Sequence, residues 1–163
     1  MGSAEQWDGT TDPVESAALV DQLKAAEKKE KGRQDESLLN PVPRALPALV
    51  EAQQIASRAA GVGFDWENAE QVIEKLHEEL AELDDARRAA SADELENEIG
   101  DLLFVLVNLA RFMKVDPEQA LRRTNRKFRR RFGHIERRLA EQGKTLADSN
   151  IEEMEALWQE AKK

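Results

Sequence analysis

From about residue 46 to the C-terminus, apolar positions recur at steps of three and four, and no stretch alternates apolar and polar for long. That spacing predicts helices and no sheet. The first core helix is expected from about Leu46 to Ala60, where Gly61 and Gly63 end it. Asp65 is placed to cap a second helix over about 67–90. Ser91 with Glu94 has the spacing of a capping box for a third helix, about 92–113. Asp116, Pro117 and Gln119 supply a cap, a first-turn proline and a box partner for a fourth, about 117–142, closed by Gly143. Asn150 with Glu153 opens a last helix, about 151–162.

Ahead of these helices the pattern weakens. Residues 1–16 read as linker, a short charged helix follows over about 17–31 and stops at Gly32, and residues 34–47 form a connector with Pro41, Pro43 and Pro47. The expected organisation is a flexible N-terminal segment, 1–40, and a helical domain, 41–163.

Short connections between long amphipathic helices make consecutive helices antiparallel neighbours, hence an all-α bundle. The apolar stripe of the fourth helix is Leu121, Thr124, Phe128, Phe132, Ile135 and Leu139. The third helix has more apolar surface than one stripe needs: Ile99, Leu102, Leu103, Phe104, Val105, Leu106, Val107, Leu109 and Ala110, interrupted by Asp101, Asn108 and Arg111. A helix apolar nearly all round is a buried one. The excess predicts a homodimer that shares a core through these helices.

Composition narrows the function classes. The chain has 163 residues, enough for one sizeable core, and 33 acidic against 24 basic side chains give a formal net charge of −9. That balance argues against a general nucleic-acid binder, which needs a basic face, but leaves room for a local polyphosphate site. There is no Cys, so neither a disulfide framework nor thiolate chemistry is available. No apolar run approaches the roughly 20 residues of a membrane span, and the N-terminus lacks signal-peptide regions. The expectation is a cytoplasmic protein with no membrane partner.

The candidate chemistry lies in two acidic half-motifs, Glu78-Glu79-Leu80-Ala81-Glu82 and Glu98-Ile99-Gly100-Asp101. Residues three apart share a helical face, so Glu79 pairs with Glu82, and Glu98 with Asp101. Glu-rich faces are usually solvated, yet Asp101 sits within the apolar run, where a buried carboxylate is costly unless paired or metal-bound. If the two helices are antiparallel neighbours, four carboxylates converge with no obvious cation, and a hard divalent ion such as Mg²⁺ is the natural neutraliser.

A cationic stretch, Asn125-Arg126-Lys127-Phe128-Arg129-Arg130-Arg131-Phe132, flanks the stripe of the fourth helix. Most of it reads as a solvated face. Lys127 and Arg131, four apart at the rim of the stripe, have the spacing to hold phosphate. Trp158 and Lys162 are also four apart, and Phe64 and Trp66 could stack on a base or plug the bundle end. Glu74 precedes His77 at Glu-x-x-His spacing, but Arg131 precedes His134, so the two such pairs of a di-iron bundle are not formed. No glycine-rich P-loop is present. Carboxylates for a metal with nearby Lys and Arg describe a site for a polyphosphate ester.

Taken together, the acidic half-motifs with a fifteen-residue spacer resemble the signature of the all-α nucleoside triphosphate pyrophosphohydrolases, and within them the MazG family. The resemblance runs from about Leu23 to Lys162 and is nearest to the C-terminal catalytic half of two-domain members. It includes Lys24–Lys28, Val42–Leu49, Gly61–Trp66, Glu98–Phe104, Asn125–Phe128 and Trp158. It implies Mg²⁺-dependent hydrolysis of an NTP between the α and β phosphates, with Mn²⁺ able to substitute, by a homodimer of helical bundles. By position it implies metal ligands Glu79, Glu82, Glu98 and Asp101, with Glu78 in the second shell or positioning water. Lys127, Arg131, Trp158 and Lys162 fall on triphosphate positions, with Asn125 and Lys75 as further candidates. The other domain of the two-domain form would precede residue 20 and has no counterpart in this sequence.

Broad specificity is the leading expectation. A narrow pyrophosphatase for dUTP, dCTP or phosphoribosyl-ATP is the enzymatic alternative, and a non-catalytic nucleotide-binding helical dimer is the alternative from another class.

Overall fold

The computed structural model describes residues 20–29 and 37–163. The chain divides into two compact units, Met1–Ala45 and Leu46–Lys163. In the first, residues 20–29 are helical (α1) and residues 37–45 form turns, in which Asn40 N donates to Ser37 O at 3.2 Å. The expected linker over 1–16 lies outside the described residues, as do the ends of the expected charged helix.

The second unit is all-helical, in the order α2 (Ala48–Ala60), α3 (Ala69–Ala89), α4 (Ala92–Phe112), α5 (Pro117–Glu141), a single 3-10 turn (Leu146–Asp148) and α6 (Ile151–Glu160). Local chemistry sets most of these boundaries. Ser91 Oγ accepts from Glu94 N, Asp116 from Gln119 N at 3.1 Å, and Asn150 from Glu153 N at 2.8 Å, each satisfying a first-turn N–H that has no partner within its helix. One expectation is corrected. The cap of α3 is Asn68, whose side chain accepts from Gln71 N at 3.0 Å. Asp65 lies too far upstream to reach that turn and instead pairs with Arg111 of α4.

Only Ala90 and Ser91 separate α3 from α4, so the two helices run antiparallel as a hairpin, the most extensive packing in the unit. Ala90 takes a left-handed conformation, φ 55°, as does Lys114 (φ 57°) after α4. Val72 and Ala86 of α3 and Val105 and Val107 of α4 are buried, and α2 packs on α4 and α5. A second cluster joins α5 to α6: Ile135, Leu139 and Leu157, with Phe132, Met154 and Trp158 against them.

Burial departs from the apolar pattern in two places. Helix α4 is not buried all round within one chain, because Ile99, Leu103 and Leu106 are exposed. The stripe of α5 is covered only in its C-terminal half: Leu121 and Phe128 are 49% and 56% exposed, and every residue from 121 to 130 is exposed. No helix among the described residues is long and apolar enough to cross a membrane.

Candidate functional site

The α3–α4 hairpin brings three of the four expected metal ligands together. Ligand oxygens of Glu79, Glu98 and Asp101 all lie within 4.8 Å of one another. The antiparallel turn makes this possible, since the middle of α3 and the second and third turns of α4 lie level across it. Glu79 is only 4% exposed, Glu98 is half-buried and Asp101 is exposed. The position of Asp101 corrects the expectation that it is buried in its apolar run: it points to the open side of the cluster. Glu82, also exposed, lies close enough for its charge to act on Glu98.

These carboxylates are short of donors. One oxygen of Glu79 and one of Glu98 are buried without a hydrogen-bond partner, an arrangement costly to a folded protein. Burial pushes the Glu98 carboxyl above its ordinary value, and the charges of Glu82, Glu79 and Asp101 push it further. The expectation that no cation shares this face is corrected as well. Lys75, one helical turn before Glu79, reaches its other oxygen at 2.8 Å and Glu78 at 2.9 Å. Those two bonds, the one to Glu79 first, hold the Lys75 ammonium well above its usual range. Lys75 neutralises one charge of a cluster that still carries several. Anionic oxygens alone, two of them buried and without donors, form a donor set suited to a hard metal ion. The cluster could hold one.

Asn125, Lys127 and Arg131 lie on α5 and Trp158 on α6, with Lys162 just past its end. Arg131 is half-buried, with its guanidinium carbon 5.5 Å from the centre of the Trp158 ring and its Nε buried without a partner. Phe128 stacks on Phe132 at 6.1 Å and meets Trp158 at 5.2 Å. Phe128, Phe132, Ile135, Ile151, Met154 and Trp158, with Glu155, line an apolar groove of about 310 Å³. Lys127, Asn125 and Lys162 are exposed, and Trp66 is half-buried beside exposed Phe64. Among the described residues no ion pair joins Lys127 or Arg131 to the acidic cluster. The acidic cluster and these cations are therefore not directly paired with one another among the described residues.

Sequence reasoning missed the group that anchors the loop before α3. Arg111 forks onto both oxygens of Asp65, donates to Asn108 Oδ1 at 3.1 Å, and lies over the Phe112 ring at 4.9 Å. Asn108, 1% exposed, in turn donates to Phe104 O at 3.1 Å. The signal was present, because Asn108 and Arg111 are the polar interruptions of the apolar run.

Comparison with known proteins agrees with this geometry. Residues 67–135, which contain all four carboxylates, Lys127 and Arg131, match the MazG nucleotide pyrophosphohydrolase domain. Over 151 residues the chain is 42% identical to a nucleoside triphosphate pyrophosphohydrolase of Escherichia coli, covering 91% of this chain and 57% of that protein. It is 44% identical over 133 residues to the nucleoside triphosphate pyrophosphohydrolase/pyrophosphatase MazG of Thermotoga maritima, covering 82% and 51%. It is 48% identical over 136 residues to the uncharacterized protein YabN of Bacillus subtilis, covering 83% and 28%. The chain thus spans about half the length, or less, of these curated relatives. The helices that carry the acidic cluster thus lie within a MazG nucleotide pyrophosphohydrolase domain, residues 67–135 of this chain.

Proposed function

We propose that the chain is a Mg²⁺-dependent nucleoside triphosphate pyrophosphohydrolase that splits an NTP or dNTP into a nucleoside monophosphate and pyrophosphate. The observation that carries this reading is the cluster of Glu79, Glu98 and Asp101 on a MazG domain, with two buried oxygens that lack a donor. Glu79, Glu82, Glu98 and Asp101 would hold the metal, for which Mn²⁺ could stand in. When bound, such an ion supplies Lewis-acid stabilisation of phosphate charge.

The protein's own groups do the rest. Arg131 can fork onto two phosphate oxygens, and Lys127, Lys162 and Lys75 act as point charges. Asn125 offers an amide to the ribose or phosphates. Trp158 and Trp66 offer faces on which any base can stack, which supports broad specificity and a housekeeping or pool-sanitising role. The water oxygen joins one phosphorus of the α–β bridge, and the bridging oxygen leaves with the other. Glu78, exposed beside Lys75, or Glu82 accepts the water's proton. The cations stabilise charge on the departing pyrophosphate.

The names of the E. coli and Thermotoga relatives specify nucleoside triphosphates without specifying a base, in keeping with this reading. The uncovered Ile99, Leu103 and Leu106 support a homodimer, and the absence of Cys supports a cytoplasmic setting. The test is product identification with the common NTPs and dNTPs plus Mg²⁺, resolving pyrophosphate from orthophosphate. Pyrophosphate formation that is abolished by EDTA and by Glu82→Gln is expected. Orthophosphate as the product, or turnover that survives Glu82→Gln, would refute the assignment.

A further inference from the structure

From Gln119 to Ile135 helix α5 carries no acidic residue, although the whole chain has 33 acidic against 24 basic side chains. Within that stretch Arg123, Arg126, Lys127 and Arg130 recur at i, i+3, i+4 and i+7, so they share one face of the helix. All four are exposed, and none has an acidic partner among the described residues. Elsewhere the chain pairs such groups locally: Arg87, Arg88, Arg122 and Arg138 each meet a carboxylate three or four residues away. Like charges at these spacings repel along a helix. A bound anion would relieve that repulsion.

The four side chains, with Thr124, line an open hollow of about 650 Å³. Arg123 and Arg130 stand about 10 Å apart along the helix axis, and this length decides what fits. A long polyanion would run off both ends of the face toward Glu118 and Glu136, over a chain whose net charge is −9. A single nucleic-acid strand also calls for aromatic faces on which its bases stack. The aromatic side chains of this part of α5, Phe128 and Phe132, instead meet each other, and Phe128 meets Trp158, in the groove shared with α6. Guanidinium groups without an aromatic neighbour suit phosphoryl oxygens, which they grip two at a time, and offer a base little.

We infer that this face is a second anion site, distinct from the substrate contacts of Lys127 and Arg131, and that its ligand is a short inorganic condensed phosphate. Arg123, Arg126 and Arg130 hold the phosphoryl oxygens through charge-assisted hydrogen bonds, and Lys127 stands at the edge of the hollow. The site uses none of the carboxylates, so it does not rest on the pyrophosphohydrolase reading.

Calorimetric titration of the chain with tripolyphosphate tests it. EDTA is present throughout, so that no metal bridges the anion to the acidic cluster. The titration is made in Lys127→Ala/Arg131→Ala, in which the substrate cations cannot supply the signal, and one binding site is expected there. Each charged contact is worth about tenfold in affinity. Adding Arg126→Gln should therefore weaken binding about tenfold, and adding Arg123→Gln/Arg126→Gln/Arg130→Gln should remove it. Gln is nearly as good a helix former as Arg, circular dichroism checks the fold, and Arg126→Lys should restore part of the affinity. No binding in Lys127→Ala/Arg131→Ala, or binding that survives the three Gln substitutions, overturns the inference. Tighter binding of a non-hydrolysable NTP or of a single-stranded oligonucleotide at the same salt also overturns it, making the ligand a nucleotide or a nucleic acid. A chain that binds tripolyphosphate as expected but hydrolyses no NTP refutes the proposed activity alone.

Discussion

Replacing Asp65 with Ala removes both acceptors of the Arg111 fork without touching the acidic cluster. The side chains of the pair are 23% and 18% exposed, so solvent screens it less than a surface pair but more than a buried one. A fully exposed ion pair contributes about 0.5 kcal/mol and a charged hydrogen bond about 1.5–3 kcal/mol. With Arg111 still held by Asn108, the loss should be about 2–3 kcal/mol. For a chain of this length that lowers Tm by about 5–10 °C. Thermal melts of wild type and Asp65→Ala followed by circular dichroism measure it directly.

The pH dependence supplies a second check. Hydrogen bonding to Arg111 holds the Asp65 carboxyl below its ordinary value of 3.8. A group depressed on folding stabilises the protein fully above its unfolded-state value and loses that contribution as pH falls through the folded-state value. The gap between wild type and variant should therefore be constant from neutral pH down to about pH 5, narrow below about 4, and close in stronger acid. A Tm difference under about 1 °C at neutral pH, or one unchanged in strong acid, would refute the assigned role of the pair.

Other variants separate the remaining claims. Leu139→Ala opens a cavity at a site 1% exposed between α5 and α6 and should cost about 2–5 kcal/mol by urea titration, whereas Phe128→Ala, 56% exposed, should cost far less in the monomer and weaken self-association in sedimentation. Asn150→Ala removes the cap of the short helix α6 and should cost about 1 kcal/mol, read as greater amide exchange in its first turn. Glu79→Gln removes the buried carboxylate charge nearest Lys75, and should abolish turnover and weaken Mn²⁺ binding by titration while leaving the helical spectrum unchanged. Unaltered Mn²⁺ affinity would place the ion elsewhere.

Helix starts were legible wherever the cap is local. Ser91, Asp116 and Asn150 each bond an N–H three residues ahead, so the sequence holds both partners. Asp65 was misread because a carboxylate ahead of a helix looks like a cap, while its true partner, Arg111, is 46 residues away. The carboxylate cluster was legible because i, i+3 spacing on two helices joined by a tight turn leaves little freedom. The Lys75 contacts also obey i, i+3 and i, i+4 spacing, yet those spacings suit a solvated pair as well as a counter-ion. Apolar period predicted the stripe of α5 correctly and its burial incorrectly, because period records which side chains avoid water, not what covers them. Among the described residues nothing fully covers Leu121 and Phe128, which stay about half exposed.

The Lys75 bridge gives the acidic cluster an internal electrolyte. An ammonium on four methylenes cannot diffuse away, so it remains at high local concentration whatever the salt outside. A free cation entering the cluster would compete with this resident charge for Glu79 and would shed part of its own hydration shell. A monovalent ion gains little from such an exchange, whereas a divalent ion brings a second charge that the lysine cannot match. Occupancy of the cluster by a metal would then report the difference between two competing cations, one of which the chain carries itself.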